Sequence, residues 1–211
     1  MAMASDDVPG IRTSVGRFMT APVLCLASAS PRRRALLASI GVPVTVHPCD
    51  IDETPQVGES AQAYVQRLAA AKAEAAAPFT HLPILGSDTA VVVDGRILGK
   101  PANAAEGAEM LRLLSGRCHE VLTAVAVSGP EGMLSSCVAT QVTMREISAD
   151  EIVAYWRTGE PADKAGGYAI QGLAAIFVKQ IQGSHSAVVG LPLYETTHLL
   201  CRQGVPIWQR V

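Results

Sequence analysis

Short apolar runs recur along the chain, each closed by glycine, proline or a small hydroxyl residue, with stretches of helical period between them. The first run, Pro22-Val23-Leu24-Cys25, reads as a buried strand. It ends in Ser28-Ala29-Ser30 and restarts at Pro31 as a helix over residues 31–40, stopped by Gly41. Ser30 suits the N-cap and Pro31 the first helical position, where its missing N–H costs nothing. Val44-Thr45-Val46-His47 predicts a short strand, and residues 48–55 an acidic loop bounded by prolines. Ser60 caps a helix running to about residue 77, with Tyr64, Leu68 and Ala71 on one stripe.

The pattern over residues 82–95 is two buried strand segments separated by the polar quartet Gly86-Ser87-Asp88-Thr89. Asp94-Gly95 then closes a hairpin onto Arg96-Ile97-Leu98. A helix follows over 104–114, then two long strands over 120–127 and 134–145 joined by a Gly-Pro turn. Their alternation predicts an antiparallel hairpin forming a wall or second lobe. Ser148 caps a helix through residue 157, and a last helix runs over 192–201. Strands alternating with helices place the chain in the α/β class.

Composition narrows this picture. With 211 residues, 49% hydrophobic and 17% charged, the chain suffices for one large domain or two small lobes. A net charge of −2 argues against a general nucleic-acid binder, so positive charge is expected to be concentrated where it is used. Five scattered cysteines without a CxxC pair point to free thiols in a reducing cytosol. No apolar run reaches transmembrane length, and a membrane role is not expected. Residues 1–20 lack a secretory apolar core and read as a flexible extension, leaving 21–211 as the domain.

Several polar residues stand out against this background. The helix opening at Pro31 aims free N–H groups and its positive dipole end at the spot where Ser28, Ser30, Arg32, Arg33 and Arg34 crowd. That corner suits a phosphate, although an ordinary capped helix with a solvated basic first turn reads the same way. Asp88 interrupts a run of valines, leucines and isoleucines, so it is either buried at cost or set at a strand end facing a cleft. With Glu53 of the acidic loop it can hold a hard divalent cation such as Mg²⁺. The five histidines show no metal spacing such as HExxH, which disfavours zinc. Lys72 either serves a site or merely snorkels from an apolar stripe. Lys100, between Gly99 and Pro101, is held in a turn beside the Asp88 hairpin. The glycine-rich stretch 159–172 reads as a binding loop whose Gln171 offers an amide donor and acceptor for a base edge or for the loop itself. No phosphate-binding G-x-x-x-x-G-K-[ST] loop or G-x-S-x-G elbow is present in the sequence.

Taken in order, six segments carry a resemblance to a known family: Ser28-Ala29-Ser30-Pro31-Arg32-Arg33, Asp52-Glu53-Thr54-Pro55, Gly86-Ser87-Asp88-Thr89, Gly99-Lys100-Pro101, Asp163-Lys164-Ala165-Gly166 and Val189-Gly190-Leu191-Pro192. The chain resembles the Maf nucleoside triphosphate pyrophosphatases from Val23 to about Gln203. The resemblance implies an α/β fold related to the inosine-triphosphate pyrophosphatases, with a mixed elongated sheet and flanking helices in two lobes around a cleft. It also implies a homodimer in the cytoplasm, and hydrolysis between the α and β phosphorus atoms with a divalent metal (Mg²⁺, or Mn²⁺ or Co²⁺). On this chain Asp88 matches the catalytic carboxylate and metal ligand, and Glu53 the second acidic position near the metal. Ser28, Arg33, Lys72 and Lys100 match polyphosphate contacts, joined by Lys164.

One branch of that family, acting on 7-methyl-GTP, carries a tryptophan after Ser-Pro, a glutamine after the aspartate and a glutamate in the glycine-rich loop. Here those positions are Arg32, Thr89 and Gln171, a set resembling the branch that hydrolyses dTTP and UTP. A tryptophan would stack on a cationic methylated purine, whereas the Gln171 amide matches a uracil or thymine edge. Two alternatives stand beside this reading: the 7-methyl-GTP activity, and a non-catalytic regulator of cell division that binds nucleotide or DNA.

Overall fold

A computed structural model describes residues 21–208; the extension expected over residues 1–20 lies outside them. Among these residues seven strands form one sheet: β1 (Leu24–Leu26), β2 (Val44–Val46), β3 (Ile84–Val93), β4 (Arg96–Leu98), β5 (Cys118–Gly129), β6 (Gly132–Met144) and β7 (Val178–Gln182). The order is β2-β1-β3-β5-β6-β7, with β4 also on β3. The β2–β1–β3 pairs are parallel and all others antiparallel, so the sheet is mixed as expected. Among the described residues six α-helices flank it: α1 (Pro31–Ser39), α2 (Ala61–Ala76), α3 (Ala104–Leu114), α4 (Ala149–Arg157), α5 (His185–Val189) and α6 (Leu193–Arg202).

The long strand β3 organises the molecule. On one side β5 pairs with it from Ile84 to Val92 without a break. On the other side β1 takes only Ile84 and Leu85, and β4 takes only Val91 to Val93. Residues 86–90 are therefore an open edge between two diverging neighbours. Side chains of β3 alternate between faces. Leu85 joins a core with Leu24, Leu26, Leu37, Val127 and Leu200, while Val91 and Val93 join a second core with Leu111, Val121, Met144 and Phe177. These two cores are strung along shared strands, and Ser87 and Thr89 of β3 lie between them.

The opposite face of β3 is covered by α2, and Gly86 sets how closely. A Cβ at Gly86 would sit 2.1 Å from the Ala69 carbonyl oxygen and 2.8 Å from the Ala73 nitrogen. Only a residue without a side chain permits that approach. The buried line of α2 accordingly runs through Val65, Leu68, Ala69, Ala73 and Ala76. This corrects the expected stripe: Leu68 is on it, but Ala71 is only half-buried and Tyr64 turns toward the acidic loop.

Other differences have equally local causes. The two expected strand segments over 82–95 are one strand, because β5 pairs with each residue of the polar quartet and keeps it extended. The long hairpin is no separate wall, since β5 lies at the centre of the sheet. Strand β7 escapes the hydrophobic pattern because it is an edge strand with Lys179, Gln180 and Gln182 exposed. The five-residue α5 is too short for a periodic signal. The Asp94-Gly95 turn is as read, with both residues at positive φ, 50° and 73°.

Replacing Gly86 with alanine should cost about 3 kcal/mol or more, because the new methyl meets backbone on a packed helix. Urea denaturation measures this; a loss below about 1 kcal/mol would mean that α2 does not lie so close.

Candidate active site

Between the two cores opens a cleft of about 500 Å³ along the open edge of β3. Of the residues singled out from the sequence, Ser28, Ser30, Arg32, Arg33, Glu53, Lys72, Asp88, Thr89, Lys100, Lys164 and Gln171 line it, whereas Arg34, expected in the same corner, is exposed on α1 outside it. Among the described residues no group of three or more His, Cys, Asp or Glu side chains is arranged to hold a metal ion. What the cleft does contain is three carboxylates, Glu53, Asp88 and Asp163, and several cations, brought together from different elements.

At the floor, Lys72 Nζ lies 2.7 Å from Asp88 Oδ1 and 2.7 Å from Glu53 Oε1. Lys72 stands one turn beyond Leu68 and Ala69 on the buried side of α2, so the approach at Gly86 delivers its ammonium to Asp88, two residues further along β3. Glu53 arrives from the acidic loop, which is tied to α2 by the Tyr64 hydroxyl on the Glu53 carbonyl (2.9 Å) and by Arg67 on the Thr54 carbonyl (3.1 Å). Burial raises the Asp88 pKa above its ordinary value, against the pull of Lys72 and Arg33. Glu53 is less enclosed: burial works to raise it, but Lys72, Lys100 and Arg33 together bring it below its ordinary value.

The wall opposite is the corner before α1. Ser30 caps the helix by accepting the Arg33 N–H at 3.4 Å, and Ser28 Oγ accepts the Ser30 N–H at 3.2 Å. Arg33 is fixed by three oxygens: the Gly190 carbonyl (2.9 Å), Ser28 Oγ (3.1 Å) and Thr89 Oγ1 (3.4 Å). Thr89 also bonds Thr123, whose hydroxyl donates to the Ala187 carbonyl at 2.7 Å, so its oxygen is engaged in holding Arg33. The Gly190 carbonyl additionally accepts the Ser87 hydroxyl at 3.1 Å. Gly190 itself adopts φ 129°, which favours glycine and turns that carbonyl into the site.

At the rim, Lys100 is exposed on the turn after β4, which is tethered by the Gly166 N–H on the Gly99 carbonyl at 2.9 Å. Lys164 pairs with its neighbour Asp163, which also faces Arg32 at 3.5 Å. This carboxylate joins the first turn of α1 to the glycine-rich loop. Gln171 is exposed on that loop. Behind the same loop, Tyr168 is bonded through its hydroxyl to His119 Nε2 at 2.7 Å. Burial lowers the His119 pKa to about 4, so the ring is neutral at neutral pH. The supporting roles of Tyr64, Thr123, His119 and the Gly190 carbonyl left no mark in the sequence, apart from the glycine itself.

Comparison with known proteins follows the same residues. The model of a family described as Maf-like protein matches residues 23–203. The dTTP/UTP pyrophosphatase of Saccharophagus degradans is 55% identical over 193 residues, 89% of this chain and 92% of that protein. The dTTP/UTP pyrophosphatase of Colwellia psychrerythraea is 51% identical, over 90% of this chain and 92% of its own. That of Hahella chejuensis is 49% identical, over 88% of this chain and 94% of its own. Among solved structures, a nucleoside-triphosphatase/dITP/XTP pyrophosphatase from Mycobacterium abscessus aligns at TM-score 0.40 and 22% identity, over 60% of this chain and 76% of its own, too loosely to carry an argument.

Without Lys72 the two carboxylates would face each other with no cation between them. In chelator-treated protein, Lys72→Met should cost about 3 kcal/mol near neutral pH, most of it through Asp88, because half-exposed Glu53 can turn to water. A carboxyl whose folded pKa is raised has its stability intact below the unfolded value and loses it as pH rises through the folded one. Losing Lys72 raises that folded value further, so the gap between variant and parent should narrow as pH falls toward the carboxylate range. Urea denaturation at about pH 7.5 and about pH 5 tests this. A gap independent of pH would rule out Asp88 as its source.

Proposed function

This chain belongs to the Maf family, and on that premise we propose that it hydrolyses dTTP and UTP to the nucleoside monophosphate and pyrophosphate. The observation that carries the reading is the pair of carboxylates on one ammonium at the floor of a cationic cleft. A polyphosphate carries several negative charges, and its transfer needs charge neutralisation and alignment more than covalent help. Arg33, locked in place before any ligand arrives, and Lys72, Lys100 and Lys164 would supply that charge from three directions. The Arg32 N–H in the first turn of α1, between Pro31, which has none, and Arg33, whose N–H is taken by Ser30, would add a backbone donor beside Ser28.

Asp88 is the residue to take the proton of the attacking water. It reaches the cleft from the middle of β3, one of its oxygens is held by Lys72, and burial raises its pKa, which makes the carboxylate a stronger base. As water adds across the α–β anhydride, its proton passes to the Asp88 carboxylate and pyrophosphate leaves. Glu53 and Asp88 also fit a hard divalent cation: both offer carboxylate oxygens and already converge on one cationic nitrogen. A metal bound there would neutralise charge on the phosphate oxygens, with water and substrate completing its shell. The homodimer and the cytosolic setting expected from the resemblance belong to this reading. For the latter, all five cysteines are free thiols, and no described helix is long and apolar enough to cross a membrane.

Arg32, Thr89 and Gln171 select the pyrimidine in this reading, with Gln171 meeting the base edge. Pyrophosphate release from dTTP, UTP, CTP, GTP, ATP, ITP and 7-methyl-GTP with Mg²⁺ tests it. We expect turnover of dTTP and UTP above all others; preference for 7-methyl-GTP would overturn the choice of branch and keep the chemistry. Asp88→Asn should lower kcat at least about a thousandfold while nucleotide affinity changes little. A variant that keeps turnover would remove Asp88 from the reaction.

A further inference from the structure

One side chain holds the glycine-rich loop from behind. Glu160 Oε1 accepts the Tyr155 hydroxyl at 2.7 Å and the Ala174 N–H at 3.3 Å, and its Oε2 accepts the Leu173 N–H at 3.0 Å. The Tyr155 hydroxyl in turn accepts the Ala169 N–H at 3.3 Å. These bonds grip the backbone two residues before Gln171 and two and three residues after it. Between them, Gly172 lies so close that a Cβ there would be 2.1 Å from Glu160 Oε2. Neither Glu160 nor Tyr155 lines the cleft; Tyr155 is buried edge-on against Phe177, at 5.4 Å between ring centres.

We propose that Glu160, acting through Tyr155 and the loop backbone, is the positioning residue that fixes Gln171 and so sets discrimination between pyrimidines. The inference rests on the reading of Gln171 as the residue that meets the base. The chemistry explains why position matters there. A glutamine amide carries an acceptor at one end and donors at the other. Thymine and uracil present an N–H and a carbonyl in one order, and cytosine presents an amino group and a ring acceptor in the reverse order. The same amide can serve either edge if its anchor is free to shift, so composition alone does not discriminate. A backbone gripped on both flanks leaves one arrangement in reach. A carboxylate suits the grip because it accepts only, and three donors converge on it. A glutamine in its place would turn an NH₂ toward one of those donors.

The test is steady-state pyrophosphate release from dTTP and dCTP with the full chain. Glu160→Gln should lower the ratio of kcat/KM for dTTP over dCTP about tenfold, chiefly through a higher KM for dTTP. Tyr155→Phe, which deletes one hydroxyl from a packed ring, should lower it in the same direction by less. Added to Gln171→Ala, either change should lower the ratio no further, since both act through that one side chain. The inference is overturned if Glu160→Gln keeps the parental ratio while Gln171→Ala loses it, or if the two losses multiply. If Gln171→Ala keeps the ratio, the reading of Gln171 falls and this inference with it. Should Glu160→Gln not fold, Tyr155→Phe alone and combined with Gln171→Ala makes the same comparison.

Discussion

The contact on which the rest of the molecule depends is backbone against backbone, where α2 crosses β3 at Gly86. Two residues along the strand stands Asp88, and three along the helix from Ala69 stands Lys72. The depth of the helix on the sheet therefore fixes the separation of an ammonium and a carboxylate. Polar side chains in a core are normally a liability. Here Lys72 and Asp88 answer each other from a helix and a strand, and the pair stays poised at the floor of a cleft.

The sheet supplies the second constraint. Because β1 and β4 leave opposite ends of the same edge of β3, the middle of that strand is paired on one side only. Its side chains still alternate, so Asp88 faces α2 while Ser87 and Thr89 face the segment carrying Ala187 and Gly190. A single strand thus feeds both walls of the cleft. The acidic loop and the glycine-rich loop need only reach over this edge, and each is tied down by side chains of a neighbouring helix: Tyr64 and Arg67 for one, Tyr155 for the other.

Legibility followed the range of the interaction. The caps at Ser30, Ser60 and Ser148 and the Asp94-Gly95 turn were readable because each is decided within four residues. The class of sheet and all the candidate cleft residues were readable from runs, interruptions and ordered motifs. Gly86 looked like part of a polar break, because nothing beside it in the chain says that a helix backbone passes 2.1 Å from its missing Cβ. Lys72 was ambiguous for the same reason: its partners lie 16 and 19 positions away, and only the packed helix brings them together. Strand β7 was hidden because an exposed edge strand needs no apolar alternation.

The hold of the Gly190 carbonyl on Arg33 spans 157 positions, nearly the whole described chain. Such a contact can form only after residue 190 has been made. Until then the guanidinium has only its bonds to Ser28 and Thr89 and lacks the shortest of the three. Contacts of such long sequence separation also slow folding, so the same bond that arms the cleft makes its assembly a late event.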